Sequence, residues 1–472
     1  MSRGALSAAL SILACVMVAG LSTVNSSGQS AAKGVVTFNK DVARIIQNNC
    51  MVCHRPGQIG PMSLTNYKEV RPWAKAIREA VVRRTMPPWH ADPHYGNWSN
   101  DRRLSDADIS TISAWVDGGV KEGEPGDLPK SPVFSDDWAI GKPDVVFTMK
   151  EEQIIQANSP DDYIWQTIPT NFTEDKYIQA LEIKAGNPAI VHHAALLMQE
   201  ADSKKDLVQA RNKRRQTASG EDKPIFEKID GINRVSLKAP VLDDACSKIS
   251  ADGALERSDS STDIMNLLGG LAPGKGPDSF PEGMVLKIPA GASLVFQMHY
   301  ANFTGSVQRD RSSVGLIFAK KPPTKRIYCA PISNYLFEIP AGASNHLATA
   351  CYTARENIHI IRFSPHMHLR GKDMEVSARY PDGRSETLLS VPNYFFSWQI
   401  AYQAKAPLAV PKGTRIAVTA HFDNSANNKF NPDSKALLRW GDSTRDEMLS
   451  CVTYYYVDDE RLPNNVLTQS RK

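Results

Sequence analysis

The sequence predicts a multidomain chain that opens with a small all-α domain and continues as all-β antiparallel sandwich. Apolar residues recur at helical spacing from Val35 to about Gly126. Beyond a stretch rich in Pro, Asp and Gly, the pattern changes to period-two runs separated by turn signals. The 472 residues, 42% hydrophobic and 22% charged, have an ordinary globular balance and suit two or three cores. A net charge of +4, without a dense basic tract interleaved with aromatics, gives no argument for nucleic acid or an anionic membrane as partner.

The chain begins with a short basic segment, Met1-Ser2-Arg3, and an apolar run from Ala5 to Leu21. Ser22 to Lys33 is polar, with small-residue cleavage sites near Ser30 and Ala31. Residues 1–31 therefore read as an export signal, and the mature chain is expected to be periplasmic or secreted, with no transmembrane segment. Lipidation at Cys15 is the alternative. In the domain expected over 35–126, Asn39 is placed to cap a helix from Lys40 to Asn49, with Val42, Ile45 and Ile46 on one face. Tyr67 to Arg83 reads as a second helix with Val70, Trp73, Ile77, Ala80 and Val81 inward, although Pro72 is tolerable only near its start. Ser105 caps a third, whose buried stripe is Ile109, Ile112, Trp115 and Val116.

Inside this domain lies Cys50-Met51-Val52-Cys53-His54. The spacing Cys-x-x-Cys-His is that of c-type haem attachment: both thiols add to porphyrin vinyl groups, and the adjacent imidazole becomes an axial iron ligand. The competing readings are a redox Cys-x-x-Cys pair and half a zinc site. With haem as part of the core, 35–126 reads as a cytochrome c domain. Candidates for the sixth ligand are Met51, Met62, Met86, His90 and His94. Met86, held in Arg84-Thr85-Met86-Pro87-Pro88-Trp89, is preferred, with Met62 as runner-up.

Residues 127–143 read as a linker. After them come alternating runs such as Met284/Leu286/Ile288, Leu294/Phe296/Met298, Met374/Val376/Ala378 and Ile416/Val418/Ala420. Turn signals including Pro381-Asp382-Gly383 and Pro411-Lys412-Gly413 separate them. The stretch of about 200–280 is a polar insertion whose basic run, Lys213-Arg214-Arg215, reads as a solvated face. Of seven cysteines, Cys246, Cys329, Cys351 and Cys451 remain for one or two disulfides in an oxidising compartment, with three pairings open. Histidines concentrate here. His192 and His193 are adjacent, so on a regular strand they face opposite sides and share a metal only if the strand bends or ends. His299 ends an apolar run. His366 and His368 face the same side of a strand, a spacing that holds one ion.

The ordered set Val191-His192-His193, Gln297-Met298-His299-Tyr300, His366-Met367-His368-Leu369 and Asp446-Glu447-Met448 resembles the copper type II, ascorbate-dependent monooxygenases. With the Cys-x-x-Cys-His motif, Met86-Pro87-Pro88-Trp89 and Asp423-Asn424-Ser425-Ala426-Asn427-Asn428, the whole is similar to bacterial fusions of cytochrome c to that module. The resemblance implies two successive jelly-roll-like sandwiches, 144–318 and 319–460, after the cytochrome domain. It also implies two copper ions beside one haem c. His192, His193 and His299 would hold an electron-transfer copper; His366, His368 and Met448 would hold the catalytic, oxygen-binding one. The implied reaction is hydroxylation of a C–H bond of a small organic substrate by O₂, with electrons from an external donor through the haem. A thioether favours the cuprous state, whereas zinc makes no use of it.

The chain departs from the peptidylglycine branch of that family. Ser364 stands where an arginine anchors the substrate carboxylate, with Arg362 two residues before it. Ser450 and Val452 replace the anchoring asparagine and tyrosine, so a peptide C-terminal glycine is not the expected substrate. His421 reads as structural, and Cys451 as a staple to Cys329 or Cys351, or as a buried thiol. The alternative function is a periplasmic haem and copper electron carrier without hydroxylase activity.

Overall fold

The computed structural model describes residues 34–58, 60–134, 138–201, 266–334 and 337–462. The expected export signal, Cys15, the run Lys213-Arg214-Arg215, Cys246 and most of the polar insertion lie outside the described residues.

Among the described residues, helices occur only in the first part of the chain, and all are short. Phe38–Val42 forms a π-turn that runs into the α-helix Ala43–Asn49. Asn39 is no cap: its side-chain amide donates to the carbonyls of Gly123 (3.3 Å) and Glu124 (3.0 Å). The helix expected over Tyr67–Arg83 divides into Tyr67–Val70, a 3-10 turn at Arg71–Trp73, and Ala74–Val82. Pro72 has no N–H to donate and its ring crowds the preceding turn, so the helix tightens there. Trp73 is consequently 43% exposed, and Val70, Ala74 and Val81 carry the buried stripe. The longest helix, Asp106–Asp117, starts at a capping box between Ser105 and Asp108. Its Ile112 and Trp115 close a small core with Phe38, Val42, Ile46 and Leu64.

Most of the described chain is β, in four larger sheets. The first runs Val145–Thr148, Ser313–Phe318, Lys176–Lys184, Met284–Ile288, Lys325–Arg326, with Asp278–Ser279 paired to Lys176–Lys184. The second is Ser159–Pro169, Ser293–Asn302, Val191–Gln199, Asn266–Leu271. The third is Tyr328–Ser333, Ser450–Val457, Ile358–His366, Tyr402–Val410. The fourth is His346–Thr353, Arg415–Phe422, Gly371–Arg379, Ser385–Val391. Strands alternate their side chains between faces. Accordingly Met374, Val376 and Ala378, and Ile416, Val418 and Ala420, line the core that the third and fourth sheets enclose.

The expected fold class, an all-α cytochrome c domain followed by two separate all-β sandwiches, is corrected by two features. No all-α cytochrome domain is evident among the described residues: the helices are few and short, and although they share a small core, the segment between the last two packs elsewhere. Between Val82 and Asp106 the chain leaves the helices, and Trp89, Ala91 and Trp98 are buried in the core of the third and fourth sheets. Backbone bonds hold the excursion there: Asp92 N–H to Ser390 (2.9 Å) and Ser99 N–H to Gln403 (2.8 Å). The β part, for its role, does not split into two isolated sandwiches. The third sheet buries both faces, with Ile360, Cys451 and Tyr455 in one core and Ile361 and Tyr454 in the core of the first two sheets. Burying the second face removes further apolar area from water at about 25 cal/mol per Å², which favours one continuous body.

A buried charge cluster spans that shared boundary. Asp278 accepts from Lys275 Nζ (2.5 Å) and from the guanidinium of Arg362, which also donates to Gln403 Oε1 (2.8 Å). Arg362 is thereby committed to the interior. Cys329 and Cys451 carry free thiols, so the expected staple from Cys451 is absent, and no disulfide joins two described residues. Among the described residues no helix is long and apolar enough to cross a membrane.

Candidate metal centre

The first histidine group is made by a bulge. Val191 pairs with Tyr300 and His193 with His299, so His192 is the extra residue of its strand. A bulge turns the two neighbouring side chains toward one side, which a regular strand forbids. The Nδ1 atoms of His192, His193 and His299 then form a triangle: 3.2 Å between His192 and His193, 3.3 Å between His192 and His299, and 3.2 Å between His193 and His299. Among the described residues these three form the group of His, Cys, Asp or Glu that converges closely enough for a metal ion. The centre of such a triangle lies about 1.9 Å from each corner, close to the ~2.0 Å of a metal–imidazole bond. On the far side of the His299 ring, Nε2 donates to Asp161 Oδ1 (2.8 Å), which leaves Nδ1 as the lone-pair nitrogen. Tyr163 stacks on His299 with ring centroids 4.2 Å apart.

The second group lies where the third sheet ends. His366 closes the strand Ile358–His366, and the rings of His366 and His368 stand perpendicular with centroids 5.2 Å apart. Tyr394 pins the intervening Met367: its hydroxyl accepts from Met367 N–H (3.1 Å) and donates to Met367 C=O (2.7 Å). His368 Nδ1 donates to the Asp446 carbonyl (3.2 Å), and His366 Nδ1 to Gln399 Oε1 (2.9 Å). Both Nε2 atoms therefore keep free lone pairs, the opposite choice from the first group. Met448 is joined to the pair through its neighbour. The buried Glu447 carboxylate accepts from the N–H groups of His368 (2.8 Å), Arg370 (2.7 Å) and Met448 (3.2 Å). Burial pushes Glu447 up to about 7, against the pull of these donors. Glu447→Gln, with one acceptor oxygen for three donors, is expected to cost about 1–3 kcal/mol in chemical denaturation.

The two groups adjoin. His193 and His366 have ring centroids 6.2 Å apart. Phe396 stacks on His192 (5.2 Å) and meets His368 edge-on (5.9 Å), filling the space between. Burial lowers His192 and His366 to about 4, His368 to about 3 and His193 well below its ordinary value, so all four imidazoles are neutral donors at physiological pH.

The Cys-x-x-Cys-His segment forms the turn after Ala43–Asn49, with both thiols free. His54 Nδ1 donates to the Met62 carbonyl (3.3 Å), leaving Nε2 unprotonated. Gly60 passes so close that a Cβ there would lie 2.7 Å from His54 Nδ1. His54 faces a cleft of about 270 Å³ whose lining includes Cys53, Gly60, Met86, Trp398 and His192. Met51 is buried in the helical core and Met62 packs against it, whereas Met86 lines the cleft. His94 pairs with Asp92 on the surface (2.7 Å), and His90 is half-buried.

Other candidates fall outside. His421 pairs with Asp373 (2.7 Å) in the fourth sheet. Ser450 bonds Ser333 (2.8 Å), and the buried Ser364 hydroxyl has no hydrogen-bond partner among the described residues. The sequence reading missed Asp161, Tyr163, Phe396 and Gln399, which no motif marks. Glu447 stood beside Met448 in the quoted motif without a role.

Residues 332–470 match the family model of the copper type II ascorbate-dependent monooxygenase, C-terminal domain. The matched segment contains His366, His368, Met448, Gln399 and Glu447; the first histidine group and the Cys-x-x-Cys-His turn precede it. No curated protein matches the chain. Solved structures similar to it include the major capsid protein P2 of bacteriophage PM2, with 8% identity, 66% of this chain and 100% of that one covered, and a TM-score of 0.24. PNGF-II follows at 8% identity, 76% and 71% coverage and a TM-score of 0.28. The infectious bursal disease virus VP2 subviral particle gives 9%, 66% and 80%, and 0.16. Scores this low carry no argument about the chain.

Proposed function

We propose that this chain is an exported copper-dependent monooxygenase that hydroxylates a C–H bond of a small organic substrate with O₂. Its electrons would come from an external donor through a covalent c-type haem. The observation that carries the reading is the 6.2 Å separation of the His193 and His366 rings, which sets a three-imidazole group against the histidine pair of the matched segment. A simple carrier needs one redox site, whereas a hydroxylase has to bring a second electron to the place where oxygen reacts.

The donor sets fit copper. Three Nδ1 atoms suit both oxidation states, and two imidazoles beside a thioether favour the cuprous one. Copper, when bound, supplies one-electron redox chemistry and oxygen activation. The protein does the positioning: His192, His193 and His299 hold one ion, and His366, His368 and Met448 the other. Gln399 and the Asp446 carbonyl fix the tautomers of the second pair, and Phe396 keeps water from the space between the groups.

The Cys-x-x-Cys-His turn fits haem by its free thiols and the open Nε2 of His54, with Met86 on the same cleft. Haem, when bound, supplies a one-electron relay. His192 on the wall of that cleft supports entry of the electron at the first histidine group.

Counting metal on protein matured in an exporting, haem-attaching host tests the reading. One iron and two coppers per chain are expected; an absence of stoichiometric copper would overturn it. Cys53→Ala is expected to weaken haem attachment to a single thioether, seen as a shifted pyridine haemochrome band, while both coppers stay.

A further inference from the structure

We propose that Asp161 is a positioning residue that straps the two histidine groups together. The inference rests on the copper reading for its meaning but not for its geometry. Asp161 lies in the strand Ser159–Pro169, where the register against Ser293–Asn302 shifts between Ser159 and Asp162. The register shift leaves Asp161 without a paired residue opposite it in Ser293–Asn302. One carboxylate oxygen accepts from His299 Nε2 at 2.8 Å. The other accepts from the Ser443 hydroxyl at 2.8 Å and from Thr444 N–H at 3.2 Å, 282 and 283 residues further along the chain. The side chain is 15% exposed, so water competes weakly for these bonds.

What Asp161 grips is a unit. Ser443 and Thr444 belong to the turn that leads into Met448. Gly441 N–H donates to Glu447 C=O (3.2 Å), and Asp446 N–H to Ser443 C=O (3.0 Å). A Cβ at Gly441 would lie 2.1 Å from Asp446 Oδ2, so the Asp446 side chain folds against the Gly441 backbone where a side chain would otherwise stand. Arg370 holds its outer side through the Arg445 carbonyl (2.7 Å). The same turn supplies the carbonyl that orients His368 and the carboxylate that takes the His368 and Met448 amides. Asp161 thus holds the tautomer of His299 with one oxygen and the frame of His368 and Met448 with the other. Charge-assisted hydrogen bonds of this kind are about twice as strong as neutral ones. Asp161 is therefore a direct hydrogen-bonded tie between the two groups, beside the packing of Phe396 and the shared core of the sheets.

Ser443→Ala removes the hydroxyl's bond to Asp161 and the bond that the same hydroxyl accepts from Arg445 N–H (3.2 Å), and leaves His299 and the Thr444 N–H bond untouched; Asp161→Ala keeps the Arg445 bond, and Ser443→Thr keeps the hydroxyl. Two measurements on the full chain decide the matter. In metal-free protein, hydrogen exchange at 441–448 is expected to speed up about tenfold in Ser443→Ala, as befits one lost charge-assisted bond, and in Asp161→Ala by more. Ser443→Thr is expected to restore protection. In copper-loaded protein, wild type is expected to show dipolar broadening between two cupric ions in electron paramagnetic resonance, and Ser443→Ala and Asp161→Ala to narrow it while copper stays at two per chain. Unchanged exchange in Asp161→Ala, which keeps the Arg445–Ser443 bond of the turn, together with unchanged broadening would overturn the strap, whatever Ser443→Ala does. A chain that binds no copper but loses protection at 441–448 would overturn the copper reading and leave the strap standing.

Discussion

Asp278→Ala is expected to destabilise the protein by roughly 3–5 kcal/mol, the usual cost of removing one partner from a buried ion pair. The carboxylate is fully buried, and it is the shared anion for Lys275, whose side chain is 10% exposed, and Arg362, at 7%. Removing it leaves two cations in the interior with only neutral acceptors, the Gly270 carbonyl and Gln403 Oε1. The Arg362 guanidinium also lies over the Tyr454 ring at 4.6 Å, which softens the loss without replacing a charge. Arg362→Met is expected to cost less, because Asp278 keeps Lys275. That order, read from denaturant midpoints at unchanged slope, is the test; equal or reversed losses would mean that packing rather than charge sets the cost. Burial alone raises the Asp278 carboxyl, but the Lys275 and Arg362 charges outweigh it and hold its pKa below the ordinary value. A depressed folded pKa contributes stability that is present above the unfolded carboxyl pKa. That stability is lost as pH falls through the depressed one, so the cluster also predicts acid sensitivity that Asp278→Ala lacks.

Much of this architecture was legible one strand at a time. Period-two runs marked the strands around Met374 and Ile416, because half-buried strands must alternate. The histidine motifs marked the candidate centre, because few other roles use His-Met-His beside a late methionine. The errors arose where distant parts meet. Helical spacing over Tyr67–Arg83 is real, yet Pro72 turned Trp73 outward. Trp89 and Trp98 carry no local sign that they enter a core built from residues 332–457. Nor does the alternation of Ile360, Ile361 and Tyr454 say that one sheet serves two cores, which is why isolated sandwiches were expected. The bulge at His192 decides whether adjacent histidines share a metal, and it depends on the register against Tyr300 and His299. Asp161 is invisible for the same reason, since its partners are 138 and 282 residues away.

If the proposed two-copper reading holds, His193→Ala removes one copper while leaving the other. His193 is a corner of the Nδ1 triangle and stands directly across from His299 in the sheet register. Loss of a partner behind a ligand costs about 10–100-fold in metal affinity, and loss of the ligand itself more, so the first group should empty at micromolar free copper. The second group draws its ligands from other strands and its support from Gln399, Asp446 and Glu447, none of which touches His193 in a hydrogen bond. Its copper should remain, and with it binding of O₂ analogues such as carbon monoxide to the cuprous protein. Turnover should fall by orders of magnitude all the same, since the electron would have to reach the second group without the first. His421→Ala is the matched control: it deletes an imidazole paired with Asp373 in the fourth sheet and should leave both coppers in place. Copper counts of one for His193→Ala and two for His421→Ala would separate metal ligation from the general cost of losing a histidine. Two coppers in both variants would place the first ion elsewhere and remove the reason for joining the haem cleft to this chemistry through His192.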